Sequence, residues 1–125
     1  MAKRTSKPPE LTEITWDTVR ELVFSLPGIE ESASYGTPAL KVSRKLFVRK
    51  HQDGENIVVP MPKTIRARRM KERPSVFHIT DHYLNYPYVL VRLSTVLREQ
   101  LADTLYEAWR HVTPKKIVAE YDAGR

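Results

Sequence analysis

Three short runs between Pro38 and Met61 constrain the fold most. Pro38–Val42, Lys45–Lys50 and Asn56–Met61 read as extended segments with turn chemistry between them. Ser43-Arg44 can close the first pair tightly, and His51–Glu55 contains Asp53-Gly54, a strong hairpin signal. Strands joined this closely pair antiparallel, because a parallel pair needs a long crossover. Alternation then assigns the faces. Leu40, Val42, Leu46, Val48, Ile57, Val59 and Met61 are expected on one face, and Lys41, Phe47, Arg49 and Val58 on the other. Pro60 cannot donate to a ladder, so the third run is expected at a sheet edge or to end there.

Helical periodicity brackets this region. Thr15 is a good N-cap for a helix to about Leu26, stopped by Pro27-Gly28, with Trp16, Val19, Val23 and Leu26 on one stripe. Ser94 is expected to cap the longest helix, Thr95 to Val112. Leu97, Leu101, Leu105, Ala108, Trp109 and Val112 line its apolar side, and Pro114 closes it. Tyr88–Leu93 is the clearest strand, Val76–Ile79 is ambiguous between strand and loop, and Thr80–Pro87 reads as loop. Thr64–Arg73 is polar and short, which predicts one or two helical turns on the surface. Hairpin-joined strands flanked by helices make an α+β domain, an antiparallel sheet with N-terminal and C-terminal helices packed on one face.

The 125 residues suit one domain, with residues 1–12 as a flexible basic tail, 13–121 as the domain and 122–125 as a second tail. Ile117, Val118 and Tyr121 are placed to pack back on the domain. No apolar stretch follows the basic residues of the first tail and no run nears 18 apolar residues. A secretory signal, a membrane span and a membrane partner are therefore not expected, and a cytoplasmic monomer is. The absence of cysteine excludes disulfides, thiolate metal sites and cysteine nucleophiles.

Charge is concentrated. Between Lys41 and Arg73 stand eleven basic residues and three acids, a local balance of +8 against a whole-chain net of +6, so the rest of the chain sums to −2. Such a cluster attracts polyanions. Lys63, Arg66, Arg68, Arg69, Lys71 and Arg73 form its densest part. On a short helix they are expected to spray around the axis, which suits phosphate contact more than base reading; a solvated helix is the plainer alternative. A second candidate surface is the sheet face away from the helices, with Lys41, Phe47, Arg49, Tyr88 and Arg92 for stacking and phosphate contact. Alternatively the Lys45–Asn56 hairpin acts as a wing with Arg49, Lys50 and His51 near its tip. Cross-strand packing is the plainer role for Phe47 and Tyr88.

Two further constellations carry chemistry-bearing groups. His78, Asp81, His82 and Tyr83 offer nitrogen and oxygen ligands within a short span, although a turn with Tyr83 and Tyr86 packed on the core is favoured over a metal or small-molecule site. For catalysis, Ser34, Tyr35 and Thr37 have no signature partner, Glu30 and Glu31 would point to opposite faces of a strand, and no glycine run cradles a phosphate. Enzyme activity and a cofactor are not expected, short of a deep pocket that held Tyr35, His82 or Trp109 beside a charged group.

A set of ordered motifs points further. Leu26-Pro27-Gly28, Ser34-Tyr35-Gly36-Thr37-Pro38-Ala39 and Lys45-Leu46-Phe47 are followed by Thr80-Asp81-His82-Tyr83, Tyr86-Pro87, Val89–Leu93, Ala108-Trp109-Arg110 and Pro114-Lys115-Lys116. In that order and spacing, over about Thr15 to Tyr121, the chain resembles the MmcQ/YjbR family of small bacterial proteins. The resemblance implies a frataxin-like, double-wing α+β fold and a DNA-binding label, with no catalytic residues to carry over. The expected function is non-enzymatic, low-specificity nucleic-acid binding through phosphates. Lys45, Arg49, Lys50, Lys63, Arg66, Arg68, Arg69, Arg73 and Arg92 are its candidate contacts. The alternatives are a protein–protein module using the sheet face or edge, or a small-molecule or metal site around His78–Tyr83.

Overall fold

The computed structural model describes residues 13–34 and 36–124; the expected N-terminal tail and Tyr35 lie outside the described residues. The elements run α1 (Trp16–Val23), β1 (Ile29–Ser34), β2 (Thr37–Val42), β3 (Lys45–Lys50), β4 (Asn56–Pro60), α2 (Lys63–Glu72), β5 (Phe77–His78), β6 (Tyr88–Arg92), α3 (Arg98–Val112) and α4 (Lys115–Ala123). The strands form one antiparallel sheet in the order β1-β2-β3-β4-β6-β5. The architecture is α+β, as the element pattern predicts.

Turn chemistry sets the meander. Ser43 and Arg44 both have positive φ, 50° and 71°, the geometry of a two-residue hairpin turn whose twist matches the flanking strands. Between β3 and β4, Asp53 accepts from the Glu55 and Asn56 backbone N–H groups at 2.8 and 3.1 Å, and Gly54 takes φ +75°. β4 is interior, paired with both β3 and β6, so the edge expected from Pro60 is not found; the strand instead ends at that residue.

One face of the sheet carries the main core. Val19 and Val23 of α1, Leu101, Leu105, Ala108 and Trp109 of α3, and Val118 of α4 pack there on Leu40, Val42, Val48, Ile57, Val59, Val89 and Val91. Trp109 is fully buried and its indole N–H donates to the Pro27 carbonyl at 3.0 Å, which ties α3 to the loop after α1. A β-bulge corrects two expected orientations. Leu40 pairs with Val48 but Lys41 with Leu46, so Phe47 is an extra residue on β3. Phe47 therefore enters the main core, fully buried, while Leu46 goes to the Lys41 side.

Several boundaries differ from expectation. β1 is an element that the sequence pattern does not announce. It is a polar edge strand, mostly exposed, and shows no apolar alternation. α2 spans ten residues, longer than expected, because Ile65 and Met70 pack against the core. α3 starts at Arg98, three residues late: Thr95 and Val96 donate to the Arg92 carbonyl, and the Thr95 hydroxyl donates to Ser75 O. α4 continues past residue 121 to Ala123, and Asp122 accepts from Tyr106 and from Arg110, at 2.5 Å in the latter.

Candidate nucleic-acid interface

The sheet's second face is covered by the β5–β6 loop. Its 3-10 turn at Asp81–Tyr83 lays Tyr83 on Val58 and Leu90, with Ile79 and Tyr88 alongside. Two of the candidate arginines hold this cover in place. Arg66 reaches from α2 and donates to the carbonyls of Tyr83, Tyr86, Tyr88 and Leu84 at 3.0, 2.6, 2.9 and 3.2 Å. Arg49, on β3 opposite Val58, donates to the Tyr83 hydroxyl, to Gln52 Oε1 at 3.2 Å and to Lys50 O at 3.4 Å. Arg66 is 6% exposed and Arg49 4%. Neither is exposed to a nucleic-acid backbone laid on the outer surface, which corrects their assignment. A guanidinium has five donors in a rigid fork, so one side chain can satisfy several loop carbonyls that no strand reaches.

The other candidates separate. Lys45 is exposed at one end of β3 and Lys50 half-buried at the other, roughly 16 Å apart at strand rise. The hairpin is no free wing, since β2 and β6 flank it. Arg92 is half-buried and donates to Ser75 O at 2.8 Å. Arg69 holds both oxygens of Glu107 on α3, at 2.8 and 2.9 Å. On α2 the remaining cations do not spray evenly: with Arg66 and Arg69 turned inward, Lys63, Arg68 and Lys71 fall on one exposed arc of roughly 140°. Arg73 is exposed just beyond the helix. Among the described residues none of these four is in an ion pair.

Arg68 also opens onto a groove of about 410 Å³ between α2 and α3, where Met61, Ile65 and Ala108 form the floor and Arg69, Arg110 and His111 the sides. Among the described residues Glu107 is the one carboxylate in its wall. Arg110, quoted above only within the Ala108-Trp109-Arg110 motif, and His111 are not marked as contacts by the sequence because they sit on the wet side of α3, far along the chain from the basic cluster.

The histidine loop does not assemble a metal site. Among the described residues no three His, Asp or Glu side chains converge. His78 faces the second side of β5 opposite Leu90, and burial, helped by the Arg92 charge, holds its imidazole below the ordinary value of 6.5. Burial pushes the Asp53 carboxyl up, but bonds from Glu55 N, Asn56 N and Asn56 Nδ2, with the nearby His51, outweigh it and bring it below 3.8. Tyr83 is buried as expected, whereas Tyr86 is 54% exposed and stands out from the core. Glu30 and Glu31 are successive residues of β1, so they point to opposite sides, and Glu31 pairs with Arg20 at 3.1 Å.

No family model matches the chain. It is 27% identical to uncharacterized proteins of Mycobacterium tuberculosis and Mycobacterium bovis, over 88% of this chain and 97% of theirs. The crystal structure of Deinococcus radiodurans protein DR2400, a DUF419 domain, superposes with a TM-score of 0.71 at 21% identity, covering 89% of this chain and 85% of that one. The shared property is the fold. Among the described residues no helix is long and apolar enough to cross a membrane.

Proposed function

We propose that the chain is a non-enzymatic member of the MmcQ/YjbR group that binds nucleic acid weakly through backbone phosphates, using the outer face of α2. The motif resemblance and the likeness to a DUF419 domain support the grouping. One observation carries the binding reading: Lys63, Arg68 and Lys71 share an exposed arc beside a groove walled by Arg69, Arg110 and His111. Unpaired ammonium and guanidinium groups along one helix neutralise successive phosphates and release their counterions. The exposed arc consists of Lys63, Arg68 and Lys71 with no aromatic side chain among them to stack a base, so sequence preference is expected to be slight.

Fluorescence anisotropy with a random duplex at several salt concentrations tests the reading. The logarithm of affinity should fall with the logarithm of salt by about 0.9 per phosphate engaged. Replacing Lys63, Arg68 and Lys71 with Ala should reduce that slope by roughly one unit for each phosphate that is no longer neutralised. Absence of binding at low salt, or a slope unchanged in the triple variant, would refute it.

A further inference from the structure

A second cavity, of about 240 Å³, lies on the far side of the sheet from the main core, between the β3–β4 turn and the loop that covers the second face. Its wall is Arg49, His51, Gln52, Thr80, His82 and Tyr83. Among the described residues no carboxylate lines it. The neighbouring acid, Asp53, accepts from Glu55 N, Asn56 N and Asn56 Nδ2, and its Oδ2 lies 3.1 Å from Nδ1 of His51 behind the wall.

The hydrogen bonds at the base of this cavity orient its neutral members. Arg49 donates to Gln52 Oε1, so the amide group of Gln52 keeps its two N–H donors for another partner. Arg49 also donates to the Tyr83 hydroxyl oxygen, which leaves the hydroxyl proton to donate elsewhere. His51 Nδ1 lies 3.2 Å from the Asp53 backbone N and 3.1 Å from Asp53 Oδ2, so that edge of the ring is taken up inside the turn and Nε2 is the edge left for another partner. Thr80 and His82 add a hydroxyl and an exposed imidazole at the rim. Arg49, more than nine-tenths buried, brings a permanent positive charge to the floor.

We infer that this cavity is a binding site for a small tetrahedral oxyanion, inorganic phosphate or the terminal phosphate of a small phosphomonoester. A permanent cation surrounded by donors favours an anion. Donors from Gln52, Tyr83 and Thr80, with the imidazoles of His51 and His82 beside them, suit an acceptor with oxygens on several sides, which a carboxylate with its two oxygens lacks. The volume lies under the roughly 300 Å³ at which drug-sized pockets begin, so the buried part of the ligand is a few heavy atoms.

The test is a two-dimensional NMR titration of the full chain with inorganic phosphate, against sodium chloride at equal ionic strength. Saturable shifts confined to His51, Gln52, Thr80, His82 and Tyr83, with a Kd of about 1 mM or tighter, are expected. Thr80 and His82 are exposed, so Thr80→Val and His82→Ala should leave the fold intact while each weakens binding about tenfold. A ribose phosphate arm tells a phosphomonoester from the free ion: tighter binding than phosphate makes the ester the ligand, weaker binding makes it the ion. Shifts that never saturate, shifts indifferent to both variants, or acetate binding as tightly as phosphate would each overturn the inference. These shifts are read on the second sheet face and duplex binding on α2, so either proposal can fail alone.

Discussion

On one side of the sheet Trp109, Phe47 and Phe77 are sealed beneath helices, and the layer is closed by side-chain volume. On the other side the cover is a single loop over Val58 and Leu90, and two arginines hold it by its carbonyls and by one tyrosine hydroxyl. Close packing fills the space between those helices and the strands beneath them. Closure by hydrogen bonds leaves the second face a polar cavity, because guanidinium groups span gaps that apolar side chains would have to fill. The same residue type thus serves as internal strut at Arg66 and as solvent-facing charge at Arg68, two positions further along one helix.

Removing volume from the packed face should have the largest effect. Trp109→Ala is expected to destabilise by about 3–5 kcal/mol in urea unfolding, since it leaves a large cavity and frees the Pro27 carbonyl. Arg66→Ala should follow, at about 2–4 kcal/mol, because three loop carbonyls and that of Tyr88 at the start of β6 lose a charged donor together. Its effect should be local: amide exchange in residues 79–87 should accelerate before the helix-covered strands respond. Arg68→Ala, on the exposed arc, should stay within about 0.5 kcal/mol. Equal costs at positions 66 and 68 would erase the distinction between strut and surface charge.

A change in the β2–β3 turn serves both faces alike. Ser43→Asn with Arg44→Gly should stabilise by about 1 kcal/mol, since both positions hold left-handed backbone that side chains other than Asn and Gly resist. The smallest effect separates the faces by pH. His78 lies on the second face with its folded value below 6.5, so the unfolded chain binds its proton more readily. Stability should therefore be full above that value and decline as pH falls through it toward the folded value. Asp53, also held low, adds a further decline below 3.8. Urea midpoints measured across this range for the parent chain and His78→Asn should differ in slope just below pH 6.5; parallel curves would remove His78 from the account.

Legibility in the sequence follows from how each element is stabilised. α3 is readable because Leu101, Leu105 and Ala108 recur at helical spacing, yet its start is not, since the Thr95 hydroxyl is drawn to Ser75 by an interaction 20 residues distant. β1 is unreadable because Ile29–Ser34 buries almost nothing and owes its strand form to pairing with β2. Alternation puts Phe47 on the wrong face because a bulge in the β2–β3 pair shifts the pattern by one. Of the candidate contacts, Lys63, Arg68 and Arg73 are exposed as expected, whereas Arg49 and Arg66 are buried. Composition treats all five as equal charges.

Local chemistry alone determined the antiparallel meander, the helices at either end and the concentration of positive charge, because periodicity and turn residues act over a few positions. Which cations face water was decided only by tertiary structure. A long arginine side chain takes its place from the carbonyls and hydroxyls it can reach, and here those belong to a loop that meets α2 and β3 only once the sheet is assembled.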